Sequence, residues 1–284
     1  MSKKDNSLGA RMKENYENRS KTYLTRRVPV IIRLDGKAFH TYTKGFKKPY
    51  DEIFHKAMNE TTKYLCQNIQ GCKIGYTQSD EITLLLTDYE TLTTDAWFDY
   101  SVQKMCSVSA AMATLAFNKY FTKFVREYTE DPDLFVCADT EDNSRENREK
   151  CQYGIVLINA IDKGAVFDAR CFNVPKEEVT NCFIWRQQDA TRNAVQMLGQ
   201  SYFSHSQLKG KSNSDIQDML MIKKGVNFND MPVEFKRGVC CIRNSYKDSE
   251  CNELMFESEK EGTWVIDKNI PIFTAERDYI ERYV

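Results

Sequence analysis

The sequence predicts an α+β fold, in which helices pack on an antiparallel sheet. Short apolar runs rich in β-branched residues alternate with longer segments whose apolar residues recur at helical spacing. One polar tetrad lies between two of the short runs, as in a β-hairpin. The resulting order is strand, helix, hairpin, helix, strands and helix, which is typical of a ferredoxin-like α+β sandwich.

The first half of the chain supplies a strand, a helix and the hairpin. Residues 28–36 (VPVIIRLDG) are a buried-strand pattern that ends in an Asp-Gly turn signal. Residues 51–68 carry apolar side chains at helical spacing, so a helix with one apolar face is expected. Residues 72–87 hold two apolar runs around Gln78–Glu81, which predicts the hairpin. A second helix is expected over roughly 97–127.

The second half is expected to return to the sheet. Ala165–Val174 and Tyr153–Ile161 are predicted as strands, and a helix is expected over about 176–200. The charged stretch 141–150 indicates a solvated loop or an exposed helix end, and the polar stretch 206–230 is expected to be partly mobile. The last strands are predicted at Gly238–Arg243 and Trp264–Ile266.

Composition excludes several classes of protein. The 284 residues are 41% hydrophobic, which is enough for a real core and argues against global disorder. Lys plus Arg number 40 and Asp plus Glu number 41, so the formal net charge is -1. A histone-like polybasic protein is excluded, and any nucleic-acid partner must meet a local basic patch. No apolar run approaches the length of a membrane span.

The cysteines favour a cytoplasmic protein with reduced thiols. The chain has 10 Cys and 3 His, without a CxxC pair, so a structural zinc site has little support. The polar amino terminus shows no apolar segment of a secretory signal. Cytoplasmic localisation is therefore expected.

Three carboxylates form the sharpest chemical pattern. Asp35 ends a predicted strand, and Asp80 and Glu81 sit at the predicted hairpin tip. If the two strands are neighbours, the carboxylates converge and repel one another unless a divalent cation such as Mg²⁺ binds them. Gly36 would let its backbone carbonyl approach such an ion. The alternative is an ordinary Asp-Gly turn beside a polar hairpin tip.

A set of ordered motifs spreads over most of the chain. They are RLDGKAFH at 33–40, FKKPYD at 46–51, GYTQSDEIT at 75–83, FDAR at 167–170, WRQQD at 185–189, LKGK at 208–211 and NFNDMPVEFKRG at 227–238. With these motifs the chain resembles the tRNA-His guanylyltransferase superfamily, whose members add nucleotides to tRNA 5′ ends in the 3′–5′ direction. The resemblance implies a palm-like catalytic domain over 1–200. It leaves 201–284 as an extension that packs on this domain and contributes to an oligomer interface.

The resemblance also implies roles for single residues. Asp35 and Asp80 would bind two Mg²⁺ ions, with the carbonyl of Gly36 as a further ligand, and Glu81 would be the third catalytic carboxylate. The nucleotides ATP and GTP would be held by residues of four segments: Asp35, Gly36, Lys37, Ala38, Phe39 and His40; Lys48; Ser79 and Asp80; and Lys104.

For several of these residues, the sequence also allows a purely structural role in place of nucleotide binding. Phe39 suits a core position as well as a base-stacking surface, and the position of His40 gives it no catalytic signature of its own. The lysine cluster Lys44, Lys47 and Lys48 suits phosphate, although such clusters usually face solvent.

The implied chemistry has two steps. A tRNA 5′-monophosphate lacks a good leaving group, so AMP or GMP is first transferred onto it, or a 5′-triphosphate is used directly. The 3′-hydroxyl of an incoming nucleoside triphosphate then attacks the activated 5′ phosphate. Base choice would come from pairing with the opposite strand, while the protein contacts the shape and phosphates of the acceptor helix.

One departure from the family pattern favours a tRNA-repair branch. Enzymes that add the extra G to tRNA-His carry a His-Ile-Asn-Asn motif after the WRQ segment, and here Asn193 alone of that motif is present, beside Arg192. We therefore expect a guanylyltransferase-like, template-dependent 3′–5′ polymerase that restores truncated tRNAs. Weak RNA contacts are expected at Arg192, Asn193, Lys209 and Lys211.

Three alternatives stay open. The first is a guanylyltransferase that adds a single G to tRNA-His. A palm-type nucleotide cyclase is disfavoured because the hairpin carries QSDEIT in place of a GGDEF-like sequence. A non-catalytic RNA-binding module is disfavoured because acidic residues facing RNA phosphates would weaken binding. The expected partners are tRNA, nucleoside triphosphates and further copies of the chain in a homotetramer.

Overall fold

The structure is a computed structural model, which describes residues 7–131, 145–244 and 262–284. In this part of the chain, six strands form one sheet in the order β4-β1-β3-β2-β5-β6, with every neighbouring pair antiparallel. The strands are β1 (Val30–Gly36), β2 (Cys72–Gln78), β3 (Glu81–Leu86), β4 (Phe167–Asn173), β5 (Val239–Arg243) and β6 (Trp264–Asp267).

Helices cover both faces of the sheet. They are α1 (Leu8–Asn15), α2 (Phe39–Tyr42), α3 (Glu52–Asn68), α4 (Val102–Glu130), α5 (Arg145–Lys163), α6 (Lys176–Tyr202), α7 (His205–Leu208), α8 (Asn213–Lys224), α9 (Val233–Arg237) and α10 (Asp278–Glu281). No helix of the described residues is both long and apolar enough to span a membrane. The helices together with the antiparallel sheet confirm the predicted α+β fold class.

Strand β1 divides the core into two layers, because its successive side chains point to opposite faces. Val30, Ile32 and Leu34 pack with α3 and α4. Ile31 points the other way and packs with Phe183 of α6. All of these side chains are fully buried. The sheet is therefore a rigid support with apolar packing on both sides.

The hairpin prediction is confirmed closely. β2 ends at Gln78, β3 begins at Glu81, and these two residues pair across the strands. The two residues between them form the turn, with Ser79 at a φ of 49°. Gly75 is needed in β2, since a Cβ there would lie 2.5 Å from the Sγ of Cys66 on α3. The fold thus holds the tip of this hairpin in a fixed place.

The prediction of a strand at Tyr153–Ile161 is wrong, because this segment lies inside α5. Tyr153, Leu157 and Ala160 are buried at helical spacing, whereas Ile155 and Ile158 are exposed. The exposed isoleucines make the apolar run look continuous in the sequence, and they hide the helical period. Of the charged stretch 141–150, residues 145–150 begin α5, and residues 141–144 lie outside the described residues.

The polar stretch 206–230 is more regular than the sequence indicates. It contains α8, which begins at a capping box in which Ser212 accepts a hydrogen bond from the Asp215 backbone and Asp215 accepts one from the Ser212 backbone. Residues 201–284 also supply β5 and β6 to the sheet. The division of the chain at residue 200 stays a prediction.

Candidate active site

The end of β1 and the hairpin tip meet at one edge of the sheet. Asp35 faces Glu81 on β3 and Asp168 on β4. The backbone N–H of Gly36 donates to the carbonyl of Asp80 at 3.1 Å. The structure therefore brings together the four residues singled out in the sequence, Asp35, Gly36, Asp80 and Glu81. Asp168 joins them because FDAR lies on the neighbouring strand.

Electrostatic repulsion is strong at this edge. Burial, followed by the nearby charge of Asp35, raises the pKa of Asp80 to about 6. Burial, followed by the charge of Asp168, raises the pKa of Asp35. The Oγ of Ser79 donates to Asp80 at 3.0 Å and offsets part of the shift. The site thus concentrates negative charge that a cation would neutralise.

Glu81 has a different environment. Its Oε2 accepts a hydrogen bond at 2.8 Å from Nη1 of Arg186, and both side chains are buried. Arg186 also pairs with Asp189 at 3.3 Å. Burial raises the pKa of Glu81, and the charge of Arg186 opposes this shift. The sequence analysis missed Arg186 as a site residue, although it lies in the WRQQD motif.

The donor set at Asp35 and Asp80 fits a hard divalent cation. Neither carboxylate is ion-paired in the described part of the chain, and the pKa of each is raised first by burial and then by a neighbouring carboxylate, Asp168 for Asp35 and Asp35 for Asp80. Within the same ranges, no group of three or more His, Cys, Asp and Glu side chains is arranged to hold a metal ion. A cation at this edge would therefore need oxygen ligands from outside these side chains, such as the Gly36 carbonyl, water or a phosphate.

A cavity of about 560 Å³ opens beside the carboxylates. Its walls come from β1 and α2, from the loop before α3, from the hairpin tip, from α6 and from α9. Of the residues predicted to bind nucleotide or RNA, those that line it are Gly36, Ala38, Phe39, His40, Lys48, Ser79, Asp80 and Asn193. Its size suits a nucleotide.

Phe39 is in the core, as one of its two sequence interpretations expected. Its ring is 4% exposed and packs on Tyr42 and Phe167, with ring centroids 5.0 and 5.1 Å away. A Cβ on Gly36 would lie 2.3 Å from this ring, so glycine is required there. The contribution of Phe39 to the cavity is therefore to position the loop rather than to stack on a base.

The lysine cluster lies along the same cavity. Lys44, Lys47 and Lys48 are exposed residues that line it. The Nζ of Lys47 lies 4.4 Å from the ring centroid of Tyr153, so this ammonium is held by an aromatic face. Lys44 and Lys48 make no ion pair in the described residues and remain available to phosphate oxygens.

Other predicted residues lie away from the cavity wall. Lys104 is exposed near the start of α4, with its Nζ 5.7 Å from the ring centroid of Phe98. Arg192 is exposed on α6 and pairs with Asp189. Lys37 is exposed just after β1, and Lys209 and Lys211 are exposed between α7 and α8. The structure places these five cations at the surface and not in the cavity lining.

The part of the cavity formed by α3 and α9 contains residues that were not predicted from the sequence. Tyr50 and His55 stack with ring centroids 3.9 Å apart and an interplanar angle of 2°. Asn59 lies one turn further along α3, and Glu234 comes from α9. The spacing of His55 and Asn59, four residues apart on a helix, was the available signal.

Comparisons with known proteins place the chain among related sequences and structures. The family model described as tRNAHis guanylyltransferase matches residues 9–175. The chain is similar to a bacterial tRNA(His) guanylyltransferase (Thg1)-like protein solved in complex with ATP, with a TM-score of 0.76 and 41% identity over 98% of this chain and 99% of that one.

Two further similarities cover most of the chain. A structure of a bacterial protein of the same description, in complex with GTP, gives a TM-score of 0.72 and 37% identity over 97% and 98% of the two chains. Uncharacterized protein R259 of Acanthamoeba polyphaga mimivirus is 30% identical over 240 residues, which are 81% of this chain and 75% of that protein.

Proposed function

This chain belongs to the tRNAHis guanylyltransferase family of nucleotidyltransferases, and we propose that it is a template-dependent 3′–5′ polymerase that restores missing 5′ nucleotides on truncated tRNAs. One observation carries the proposal. A nucleotide-sized cavity is lined by Asp80, which makes no ion pair in the described residues, and by the lysines Lys44 and Lys48, and Asp35 directly precedes the lining residue Gly36. Carboxylates that can hold a cation, together with lysines that can bind phosphate oxygens, suit a nucleoside triphosphate that reacts at phosphorus.

ATP and GTP are the proposed ligands of the cavity. Solved relatives hold one or the other nucleotide, as their descriptions state. In this chain the turn from Gly36 to His40 and the hairpin residues Ser79 and Asp80 would surround the sugar and phosphates. Lys48 would bind phosphate oxygens and orient the α-phosphate for transfer to the tRNA 5′ end.

Two Mg²⁺ ions are proposed at the sheet edge, held by Asp35, Asp80 and the carbonyl of Gly36. Bound there, Mg²⁺ would lower the pKa of an attacking hydroxyl and neutralise charge on the leaving phosphate. Arg186 would keep Glu81 ionised and fixed beside these ligands. The hairpin and β1 would therefore set the distance between the carboxylates before any substrate binds.

The repair branch is favoured by the segment after WRQQD. Asn193 lines the cavity, whereas Arg192 is exposed and pairs with Asp189 of its own helix. We propose that Arg192, Lys209 and Lys211 contact tRNA phosphates, which carry no sequence information. The homotetramer and the cytoplasmic localisation remain predictions.

A second candidate function is addition of a single G to tRNA-His. It is favoured by the family match over residues 9–175, whose description names that activity.

An addition assay separates the two functions. Full-length tRNA-His and a set of tRNAs that lack one or two 5′ nucleotides are incubated with all four nucleoside triphosphates and Mg²⁺. The repair function predicts addition of the nucleotide that pairs with the 3′ strand, whichever tRNA is used. A strong preference for full-length tRNA-His, with little extension of truncated tRNAs, would support the second function instead.

A further inference from the structure

Two buried amides line the cavity without a protein partner. Asn59 on α3 and Gln78 at the end of β2 are each 8% exposed. In the described part of the chain, neither side-chain amide makes a hydrogen bond. Neither amide is among the fully enclosed, unpaired polar atoms of the described residues, so both amides reach the open cavity, where a ligand can bind them.

The surroundings of Asn59 suit a nucleobase rather than a phosphate. The stacked rings of Tyr50 and His55 and the side chain of Met58 lie beside it along the cavity. Burial and the charge of Lys268 lower the pKa of His55 to about 3, so this imidazole is neutral near pH 7. This wall therefore combines flat, uncharged surfaces with polar groups that form hydrogen bonds.

The charged groups proposed to bind the triphosphate and its cation lie elsewhere along the cavity. Lys44 and Lys48 come from the loop before α3, and Asp80 comes from the hairpin tip. A triphosphate that binds these charges would leave its base to the rings and the amide of α3, where Glu234 of α9 also lines the cavity. Gln78 lies two residues before Asp80 and lines the same cavity.

We propose that the side-chain amides of Asn59 and Gln78 bind the purine base of the nucleotide and admit both adenine and guanine. The inference rests on the proposed nucleotide-binding function and assigns residues that set its base specificity. A carboxamide offers a donor and an acceptor side by side, which matches a purine edge, and its rotation by 180° exchanges the two. A carboxamide that can turn in this way therefore fits either purine.

Binding measurements test the assignment directly. Dissociation constants of ATP, GTP and inorganic tripolyphosphate are measured for the wild type, for Asn59→Leu and for Gln78→Met. We expect about tenfold weaker binding of ATP and of GTP by each variant. Tripolyphosphate has no base, so its binding should be unchanged. Asn68→Leu is the matched control, because Asn68 lies on the same helix and is exposed.

A charge substitution tests the tolerance for both purines. Asn59→Asp leaves only acceptors, which suit the two adjacent donors of guanine better than the single amino group of adenine. We expect the preference for GTP over ATP to increase at least fivefold. An equal change for both nucleotides would contradict recognition of the base edge. This variant also carries the test if Asn59→Leu does not fold.

Thermal unfolding distinguishes a binding amide from a structural one. Without nucleotide, Asn59→Leu should unfold at the same temperature as the wild type or higher, since the Asn59 side chain makes no hydrogen bond within the described residues that the substitution would remove. A lower unfolding temperature together with weaker tripolyphosphate binding would overturn the inference. Failure of the wild type to bind ATP and GTP would contradict the proposed function itself. Unchanged nucleotide affinity in the variants would contradict only the role of the amides.

Discussion

At the scale of single residues, the sheet edge holds two carboxylates, Asp35 and Asp80, whose pKa values are raised mainly by burial. Asp80 and Asp35 lie close enough for the charge of one to raise the pKa of the other. When the folded-state pKa of a carboxyl group lies above its unfolded-state pKa, the native state binds more protons at any pH between these two pKa values. The free energy of unfolding therefore falls as the pH rises through this range. Such a cost is expected where carboxylates are arranged for a ligand rather than for the fold.

Asp80→Asn should therefore separate activity from stability. We expect nucleotide addition to fall by about a thousandfold, since a ligand of the proposed cation is lost. In EDTA, the variant should be more stable than the wild type by roughly 1–3 kcal/mol at pH 8, and by much less at pH 4. Denaturant unfolding at both pH values measures this difference. Asp218→Asn, on the exposed face of α8, is the control.

His55 should make the protein sensitive to acid. Its pKa of about 3 lies below the unfolded value of 6.5, so its contribution is complete above pH 6.5 and is lost as the pH falls towards 3. Between pH 6.5 and 5, the wild type should lose about 2 kcal/mol more than His55→Phe, which keeps a ring against Tyr50. Parallel stability curves for the two proteins would contradict this assignment.

Lys48 should act mainly in the activation step. We expect Lys48→Ala to extend a tRNA with a 5′-triphosphate at least tenfold better than the same tRNA with a 5′-monophosphate, because the triphosphate needs no nucleotidyl transfer. Single-turnover rates on both substrates measure the ratio. Lys44→Ala is the matched control from the same loop. Equal losses on the two substrates would assign Lys48 to binding or to the second step.

At the scale of elements, α6 is tied to the hairpin by the ion pair of Arg186 with Glu81. The two residues are 105 positions apart in the sequence. Removing one partner of a buried pair leaves an uncompensated charge and is strongly destabilising. The pair therefore couples the packing of α6 to the position of the hairpin tip, where the proposed catalytic residues lie.

Arg186→Leu should lower the free energy of unfolding by about 3–5 kcal/mol. The double variant Arg186→Leu/Glu81→Leu should recover part of this loss, because no buried charge is left unpaired. Denaturant unfolding of the two variants checks the expectation. Arg192→Leu, which removes an exposed pair on the same helix, should change stability by less than about 1 kcal/mol. If the double variant loses as much free energy of unfolding as Arg186→Leu and Glu81→Leu lose separately when added together, the two side chains are not coupled.

The strands and helices were predictable where local pattern and final burial agree. β1 and the hairpin have short apolar runs and clear turn residues, so their bounds follow from the sequence. α5 was not predictable from its apolar run, because Ile155 and Ile158 remain exposed in the helix. The convergence of Asp35 with Asp80 follows from strand pairing, whereas Arg186 could be placed only by the packing of α6. Arg186 and Glu81 are 105 positions apart, so no local sequence pattern predicts their ion pair.

At the scale of the whole molecule, the last segment closes the second layer of the core. Ile270, Phe273 and Ile280 are fully buried against the α6 face of the sheet. The side-chain amide of Gln187 makes two hydrogen bonds with this segment. It donates to the Pro271 carbonyl at 2.8 Å and accepts from the Phe273 backbone N–H at 2.9 Å. The extension is thus part of the core and not an appendage.

A chain that ends at Lys268 should fail to fold. Each fully buried apolar side chain contributes about 1.5–3 kcal/mol, and together the missing ones approach the usual net stability of a domain. Circular dichroism and solubility measure the outcome. Removal of Tyr283 and Val284 alone is the control and should be tolerated, since both are only partly buried. A soluble, folded chain ending at Lys268 would contradict the packing described here.

The cavity walls come from positions spread between Gly36 and Val239. During synthesis, a nascent chain emerges from the ribosome with the β1 turn first, the hairpin next and α9 nearly last. Since domains fold as units and the core also needs Ile270, Phe273 and Ile280, the cavity is complete only after nearly the whole polypeptide has left the exit tunnel. The proposed ligands ATP and GTP would then bind the completed fold and lower the population of unfolded chains by mass action. A substrate would thereby act as a late folding ligand for newly made enzyme.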